Sequence, residues 1–553
     1  MSSSFFESSK EIANDFLQSI VFIDDRAFVT EGPNHHEFDA KQITRVFANS
    51  KKVCAVYNPE TLGDINNLAQ LAKKSDVTVL DWQINIQEEA VENSEEDAED
   101  DDPRGPHTRK IIREILSDPL TGKGSLKLIV IYTGEIDLPG ITDEIFDDLQ
   151  ALNIEGLQKG DCSIFTDNIK ILVAAKPASD DEGDEPKFKH NPQLNNKVVA
   201  YDDLPDFILT QFTEMTAGLL TNFVLKSLTA IRGNTFRLIK LYKKELDPSF
   251  LAHRLLLPNP EDSKEHLVEI LSHSIQALLS YNETGEATSA QNIKSWIDIN
   301  EFNQTITIDK EKEILIDREF IKEWVNTTFF DACKKQWVTN GYSDENNTPD
   351  KKFKSIEKQL YKKASELFIG TETSVEIDSE FSILTHHKSN LKQPSAAPQL
   401  TLGTLIKQLP KEQDAADDVG SLQDERFFLC IQARCDSKRL EKLRKFLFVP
   451  LHKVDENSKF HFVVDDETGF IRLSVAKESF EIRTIKFQPN EGSQVIIAGK
   501  SEEQYLFTSN HNEQFKWVAD LKDAHAQREA NNFATKISRV GLDESEWLRR
   551  WAT

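Results

Sequence analysis

Val77-Thr78-Val79-Leu80-Asp81-Trp82 is a short run of β-branched and aliphatic residues that ends in a carboxylate. Such a run reads as a strand buried on both faces, the kind found inside a parallel sheet. In open α/β sheets, ligands and chemistry sit just beyond the carboxyl ends of the strands. Asp81 falls there. Many strands end in Asp, so the reading rests on what the neighbouring strands do.

Three other runs end in polar residues. Ser19-Ile20-Val21-Phe22-Ile23 leads into Asp24-Asp25, Leu128-Ile129-Val130-Ile131-Tyr132 into Thr133-Gly134, and Ile171-Leu172-Val173-Ala174-Ala175 into Lys176-Pro177. Val53 to Tyr57 is a fifth apolar run. Helical periods separate them at Phe38 to Ala48, Glu60 to Lys74, Thr108 to Leu116 and Ile141 to Leu152. Alternating strands and helices predict an α/β fold, a doubly wound five-stranded parallel sheet with right-handed crossovers. Five polar residues then converge on one edge: Asp24, Asp25, Asp81, Thr133 and Lys176.

An acidic pair, an Asp, a hydroxyl and a Lys-Pro, in that order and each at a strand end, resemble the receiver domain of two-component response regulators. The resemblance covers about the first two hundred residues. It implies a flavodoxin-like sheet, phosphoryl transfer from a histidine kinase to Asp81, and Mg2+ held by Asp24, Asp25, Asp81 and the backbone carbonyl of Gln83. It implies that Lys176 contacts a phosphoryl oxygen, that Thr133 is the switch hydroxyl, and that a cis Lys176–Pro177 bond aims the lysine inward. The chemistry agrees. Mg2+ prefers oxygen ligands, and three carboxylates brought together without a cation would repel. Leu80-Asp81-Trp82, Phe428 to Asp436 and Ser538 to Trp547 also resemble the long receiver-bearing proteins of bacterial antiphage two-component systems of the Detocs type. Trp82 beside the acceptor and Glu135 beyond Thr133 are unusual for a receiver.

A chain of 553 residues is too long for one core. With 39% hydrophobic and 29% charged residues it has a soluble composition, and no apolar run is long enough to span a bilayer. No secretory signal stands at the N-terminus. The five cysteines show no metal-ligand spacing, so reduced cytoplasmic thiols are expected. A net charge of −27 repels nucleic acid and anionic membranes. With no basic helix-turn-helix pattern, a DNA-binding output is disfavoured.

The expected organisation is a receiver domain with acidic insertions at 1–217, a mainly helical middle domain at 218–385, a linker at 386–424, and a β-rich domain closed by a helix at 425–553. Ten of the fifteen positions from Glu88 to Asp102 are acidic, which reads as a solvated insertion that could also screen the site. Residues 178–200 read as a second excursion. From Leu204 to Ile231 apolar residues recur at threes and fours, predicting one long helix that leaves the receiver. It is a candidate for self-association or for contact with a downstream effector protein. The middle region predicts a small hairpin at 305–316, and its His253, His266 and His273 lack metal-site spacing. In the C-terminal region strand patterns cover 426–432, 460–464, 470–475, 481–487, 494–498 and 504–508, followed by a helix from Asn512 to about Ser538. Arg434, Asp436, Lys438 and Arg439 read as a solvated loop. No Ser/His/Asp grouping, phosphate loop or zinc spacing marks an effector enzyme. The expectation is a phosphate-accepting or relaying receiver protein. The competing reading is a receiver-fold scaffold that is never phosphorylated.

Overall fold

A computed structural model describes residues 4–28, 40–86, 104–118, 126–154, 156–166, 168–177, 187–257, 260–309, 312–343, 346–370, 372–388, 397–410, 426–455, 458–466, 469–478, 481–490, 494–502 and 504–537. The acidic stretch Glu88 to Asp102, most of the 410–424 linker and Ser538 to Trp547 lie outside the described residues. The chain forms two compact units, Met1–Thr348 and Pro349–Thr553.

The first unit begins with α1 (Ser4–Phe16), β1 (Ser19–Ile23), α2 (Ala40–Asn49), β2 (Val53–Tyr57), α3 (Leu62–Lys74) and β3 (Val77–Leu80). There follow α4 (Pro106–Ser117), β4 (Lys127–Thr133), α5 (Leu138–Ala151), β5 (Gln158–Gly160), β6 (Ser163–Phe165) and β7 (Ile169–Ala175). The strand order is β2-β1-β3-β4-β7-β6-β5, with β2 through β7 parallel along that path. This is the doubly wound order, and β3 is the central parallel strand. The expected five parallel strands are present, but the sheet has seven. β5 and β6 form a hairpin that adds antiparallel to the edge at β7. Its strands are only three residues long, too short to register as a period.

Successive strand residues point to opposite faces, so one apolar run feeds two cores. Val21, Leu80, Ile129, Ile131 and Val173 pack with α3, α4 and α5. Phe22, Val79, Val130, Tyr132 and Ala174 pack with α1, α2 and α6 (Leu204–Thr216). Both faces of the sheet are thereby kept from water, as a parallel sheet requires.

The long helix predicted over 204–231 is broken. α6 ends at Thr216, Ala217 and Gly218 are extended, and α7 (Leu219–Gly233) starts anew. The apolar rhythm continues across the gap, so periodicity conceals it. After α7 come α8 (Thr235–Leu241), α9 (Asp247–Leu256), α10 (Asp262–Tyr281) and α11 (Ala290–Asp298). The expected hairpin is β8 (Asn303–Asp309) and β9 (Lys312–Asp317), and α12 (Arg318–Asn326) and α13 (Phe329–Thr339) follow it.

The second unit opens with α14 (Asp350–Ile369) and α15 (Ser374–His386). Its strands are β10 (Thr404–Gln408), β11 (Phe427–Cys430), β12 (Arg444–Lys453), β13 (Phe462–Asp466), β14 (Gly469–Val475), β15 (Arg483–Phe487), β16 (Gly499–Ser501), β17 (Gln504–Thr508) and β18 (Gln514–Asp520). They form one nine-stranded sheet. β10 lies inside the stretch read as linker, and 494–498 forms no strand. The closing helix, α16 (Asp523–Ile537), is shorter than expected because β18 occupies 514–520. Phe515 and Ala519 of β18 are buried in different cores, because a bulge in the pairing with β10 shifts the register between them and blurs the strand period.

One local feature places the loop that follows Asp81. Gly105 sits just before α4 with φ +63°, and a Cβ there would lie 2.8 Å from the Trp82 ring. Trp82 is fully buried, so helix and ring can only meet through a glycine. Gly105→Ala is therefore expected to cost roughly 1–3 kcal/mol through clash and left-handed backbone together. Calorimetry of the full chain should show a lowered transition, and an unchanged one would mean that Trp82 yields freely.

Candidate functional site

The strand ends fix the side chains through the backbone ladder. The Asp24 amide donates to the Tyr57 carbonyl (3.1 Å), the Asp81 amide to the Ile23 carbonyl (2.9 Å), and the Lys176 amide to the Thr133 carbonyl (2.7 Å). Each polar residue thus extends the ladder by one step, and all stand on the carboxyl edge of the sheet.

At the centre, the Lys176 ammonium donates to Asp24 Oδ2 at 2.8 Å and to Asp81 Oδ1 at 2.7 Å. The three side chains are only 11%, 4% and 14% exposed. The other Asp24 oxygen accepts from the Arg26 amide at 2.8 Å. Asp25 is bonded elsewhere, its Oδ2 accepting from the Asn85 amide (3.0 Å) and side-chain nitrogen (3.1 Å). Thr133 is buried, and its hydroxyl accepts from the Glu135 amide at 3.1 Å. Gln83 is exposed in the loop beyond Asp81. Lys176–Pro177 is trans, contrary to the cis bond that the receiver resemblance implies.

Burial pushes the Asp81 carboxyl up to about 6; Lys176 pulls it down and the charge of Asp24 pushes it up again. Burial lowers Lys176, but Asp81 and Asp24 outweigh it and hold the ammonium above the ordinary lysine value. Asp25 is also raised, chiefly by burial, with the Asn85 bonds opposing. Two carboxylates thus face one ammonium, and the charge of Asp25 lies near enough to push Asp81 up further. That excess of negative charge, on hard oxygen donors, fits a divalent cation such as Mg2+. Among the described residues no three Asp, Glu, His or Cys side chains gather closely enough to hold a metal; Lys176 bonds two of the carboxylates and Asn85 the third.

Three contributors escaped the sequence reading. Asn85 orients Asp25. Arg104 pairs with Glu135 at 2.7 Å, two residues past Thr133, and lies 3.7 Å from Glu144. Tyr132 donates its hydroxyl to the Val199 carbonyl at 2.6 Å, and Lys176 Nζ stands 5.9 Å from its ring centre. The Asp-x-x-x-Asn spacing of Asp81 and Asn85 was visible in the sequence, but the partner of Arg104 was not. The histidines named from sequence take no part: His253 and His266 are exposed with rings 5.2 Å apart. Arg434, in the charged loop of the second unit, pairs with Asp523 at 2.6 Å.

The family model of the response receiver domain matches residues 16–181, the stretch that holds all of these strand-end residues. No curated protein and no solved structure matches the chain. A receiver domain points to phosphoryl acceptance in two-component signalling, from a phosphodonor such as a histidine kinase. Among the described residues no helix is long and apolar enough to cross a membrane.

The raised Asp81 carboxyl sets a pH dependence. A carboxyl whose folded pKa exceeds its ordinary value of about 3.9 lends stability that is complete below that value and lost as pH rises through the folded one. In chain free of divalent cations, Asp81→Asn should therefore gain on the wild type between about pH 4 and pH 7, by on the order of 1–3 kcal/mol. Thermal melts across that range test it. A flat difference would show that Asp81 ionises normally.

Proposed function

We propose that Asp81 accepts a phosphoryl group from a histidine kinase, and that the chain relays or stores it in a cytoplasmic two-component pathway of antiphage defence. On this reading it has no DNA-binding output and no effector enzyme, and its chemistry is limited to its own phosphorylation. The observation that carries the proposal is the shared Lys176 ammonium between Asp24 and Asp81 at the edge of a receiver-type sheet. The antiphage part leans on the resemblance of Leu80-Asp81-Trp82 and Phe428 to Asp436 to the long receiver-bearing proteins of such systems.

In the reaction an Asp81 carboxylate oxygen attacks phosphorus, the phosphorus–nitrogen bond of a phosphohistidine breaks, and an aspartyl phosphate forms. The released imidazole takes its proton from solvent. Lys176, already charged and in contact with Asp81, stays beside the new phosphoryl oxygens and offsets their charge. Asp24, Asp25, Asp81 and the Gln83 carbonyl would hold Mg2+, which when bound neutralises charge on donor and acceptor. Only ionised Asp81 is a nucleophile, so acceptance needs a pH above the raised carboxyl value or a cation that lowers it.

A scaffold that keeps the fold without the reaction is the second reading. It is favoured by the mutual saturation of the site, with Lys176 tied to both Asp24 and Asp81 and Asp25 tied to Asn85. Incubation with labelled acetyl phosphate or phosphorylated kinase, in Mg2+, separates the two. The proposal expects label on the wild type and background on Asp81→Asn. An unlabelled wild type supports the scaffold, and label that survives Asp81→Asn sinks the choice of acceptor.

The route out of the site runs through β4. Thr133 and Tyr132 are neighbours on that strand, and Tyr132 holds Val199 and packs edge-on against Tyr201, just ahead of α6. A beryllofluoride mimic at Asp81 is therefore expected to alter amide exchange over residues 198–216, fading beyond the break at Ala217–Gly218. Changes confined to the loops around Asp81 would leave a phosphate store without this output.

A further inference from the structure

Residues 234–261 form α8, α9 and their connections, yet no described side chain among them is buried. α10 runs for twenty residues and buries only Ser263. Helices of seven and ten residues do not hold themselves in water; tertiary packing normally stabilises them. Their arrangement is set by polar contacts. Arg254 donates to the Pro260 carbonyl, the Ser263 hydroxyl and Glu261 at the α9–α10 turn, and Tyr242 bonds Ser274 at 3.0 Å. An apolar core that should accompany those contacts is missing from the single copy.

The apolar side chains that would build it are there, facing outward. Sixteen of the thirty-three exposed large hydrophobics of the described chain fall between Leu220 and Tyr281. Ile239, Leu255 and Leu256 are 67%, 71% and 84% exposed, and Phe236 and Val268 are similarly open. Exposed hydrophobics scattered singly are normal on a monomer, but sixteen crowded between Leu220 and Tyr281 are the mark of an interaction surface.

Charge selects the occupant. Residues 219–256 carry seven Lys or Arg against two Asp or Glu, in a chain whose net charge is −27. α10 has the opposite bias, with Asp262, Glu265 and Glu269 against Lys264. A two-fold axis pairs unlike surfaces twice, α10 of each copy meeting α8 and α9 of the other. An anionic membrane would meet the α10 carboxylates and a strongly acidic chain. We infer that a second copy of this chain covers the face, so that α8, α9 and α10 of two copies close a shared helical core.

Light scattering coupled to size-exclusion chromatography of the full chain tests the inference. The wild type is expected at twice the 63.0 kDa chain mass. Ile239→Asp with Leu255→Asp should run as one chain with unchanged circular dichroism, because both side chains face solvent in the single copy. Should that variant fail to fold, Lys240→Glu with Lys243→Glu reverses charge without touching apolar surface. It should weaken self-association at least tenfold, and adding Glu269→Lys should restore most of it. A wild type of single-chain mass at the highest soluble concentration overturns the inference. So does a folded aspartate variant that remains paired, or a charge swap that restores nothing. Co-flotation of a single-chain wild type with phosphatidylglycerol vesicles, lost in the variants, would assign the face to membranes instead.

Discussion

One ammonium between two carboxylates sets the terms for the N-terminal unit. Lys176, Asp24 and Asp81 come from three strands, β7, β1 and β3, that are far apart in sequence. Bringing them together out of water costs several kcal/mol per ion unless each charge meets a partner. The parallel sheet supplies that geometry, since all its strands end on the same edge and the backbone ladder fixes where each side chain leaves. Two apolar faces then pin the sheet in place. Removing Lys176 would strand two buried carboxylates, whereas a divalent cation could replace part of its work.

Much of this was legible because a buried parallel strand is an unusually plain signal. Val77 to Leu80 is β-branched or aliphatic at every position, Thr78 included, and it stops at Asp81 because the sheet does. The same holds at Ile23 and Ala175, so the site could be assembled from strand ends alone. Elements that obey no clear period were hidden. The β5–β6 hairpin has strands of three residues, and the break at Ala217–Gly218 leaves the apolar rhythm intact. β12, at Arg444 to Lys453, mixes exposed and buried positions around Pro450, so neither template fits it well. Side-chain partners such as Arg104 and Glu135 depend on how α4 enters, which the Gly105 and Trp82 contact decides only in three dimensions.

Lys127 shows how a charge can be buried for structure alone. It opens β4, is almost wholly buried, and donates to the Ala72 and Ser75 carbonyls and to the Ser75 hydroxyl at 3.0 Å. Those carbonyls lie at the end of α3, where a cation meets the negative end of the helix dipole. Burial lowers Lys127 to about 7. Lys176 is as deeply placed yet shifted the other way. The difference is the partner: at Lys127 only the charge of Asp76 opposes burial, and only partly, whereas the two carboxylates bonded to Lys176 more than offset it. Lys127 stands at the start of its strand and Lys176 just past the end of its own, which separates a brace from a candidate for chemistry.

The strand geometry also dictates how an event at the site can be felt elsewhere. Adjacent strand residues point to opposite faces, so Thr133 leaves β4 on the side of α3, α4 and α5 while Tyr132 packs in the core against α1, α2 and α6. A shift of the β4 backbone at Thr133 must therefore displace Tyr132, whose hydroxyl is committed to Val199. That bond reaches the segment leading into α6, and α6 shares the face with α1 through the stacked rings of Phe16 and Phe212. Coupling of this kind needs no continuous helix. It needs a packed core with two arrangements, and the polar link from Tyr132 to Val199 is the contact that would choose between them.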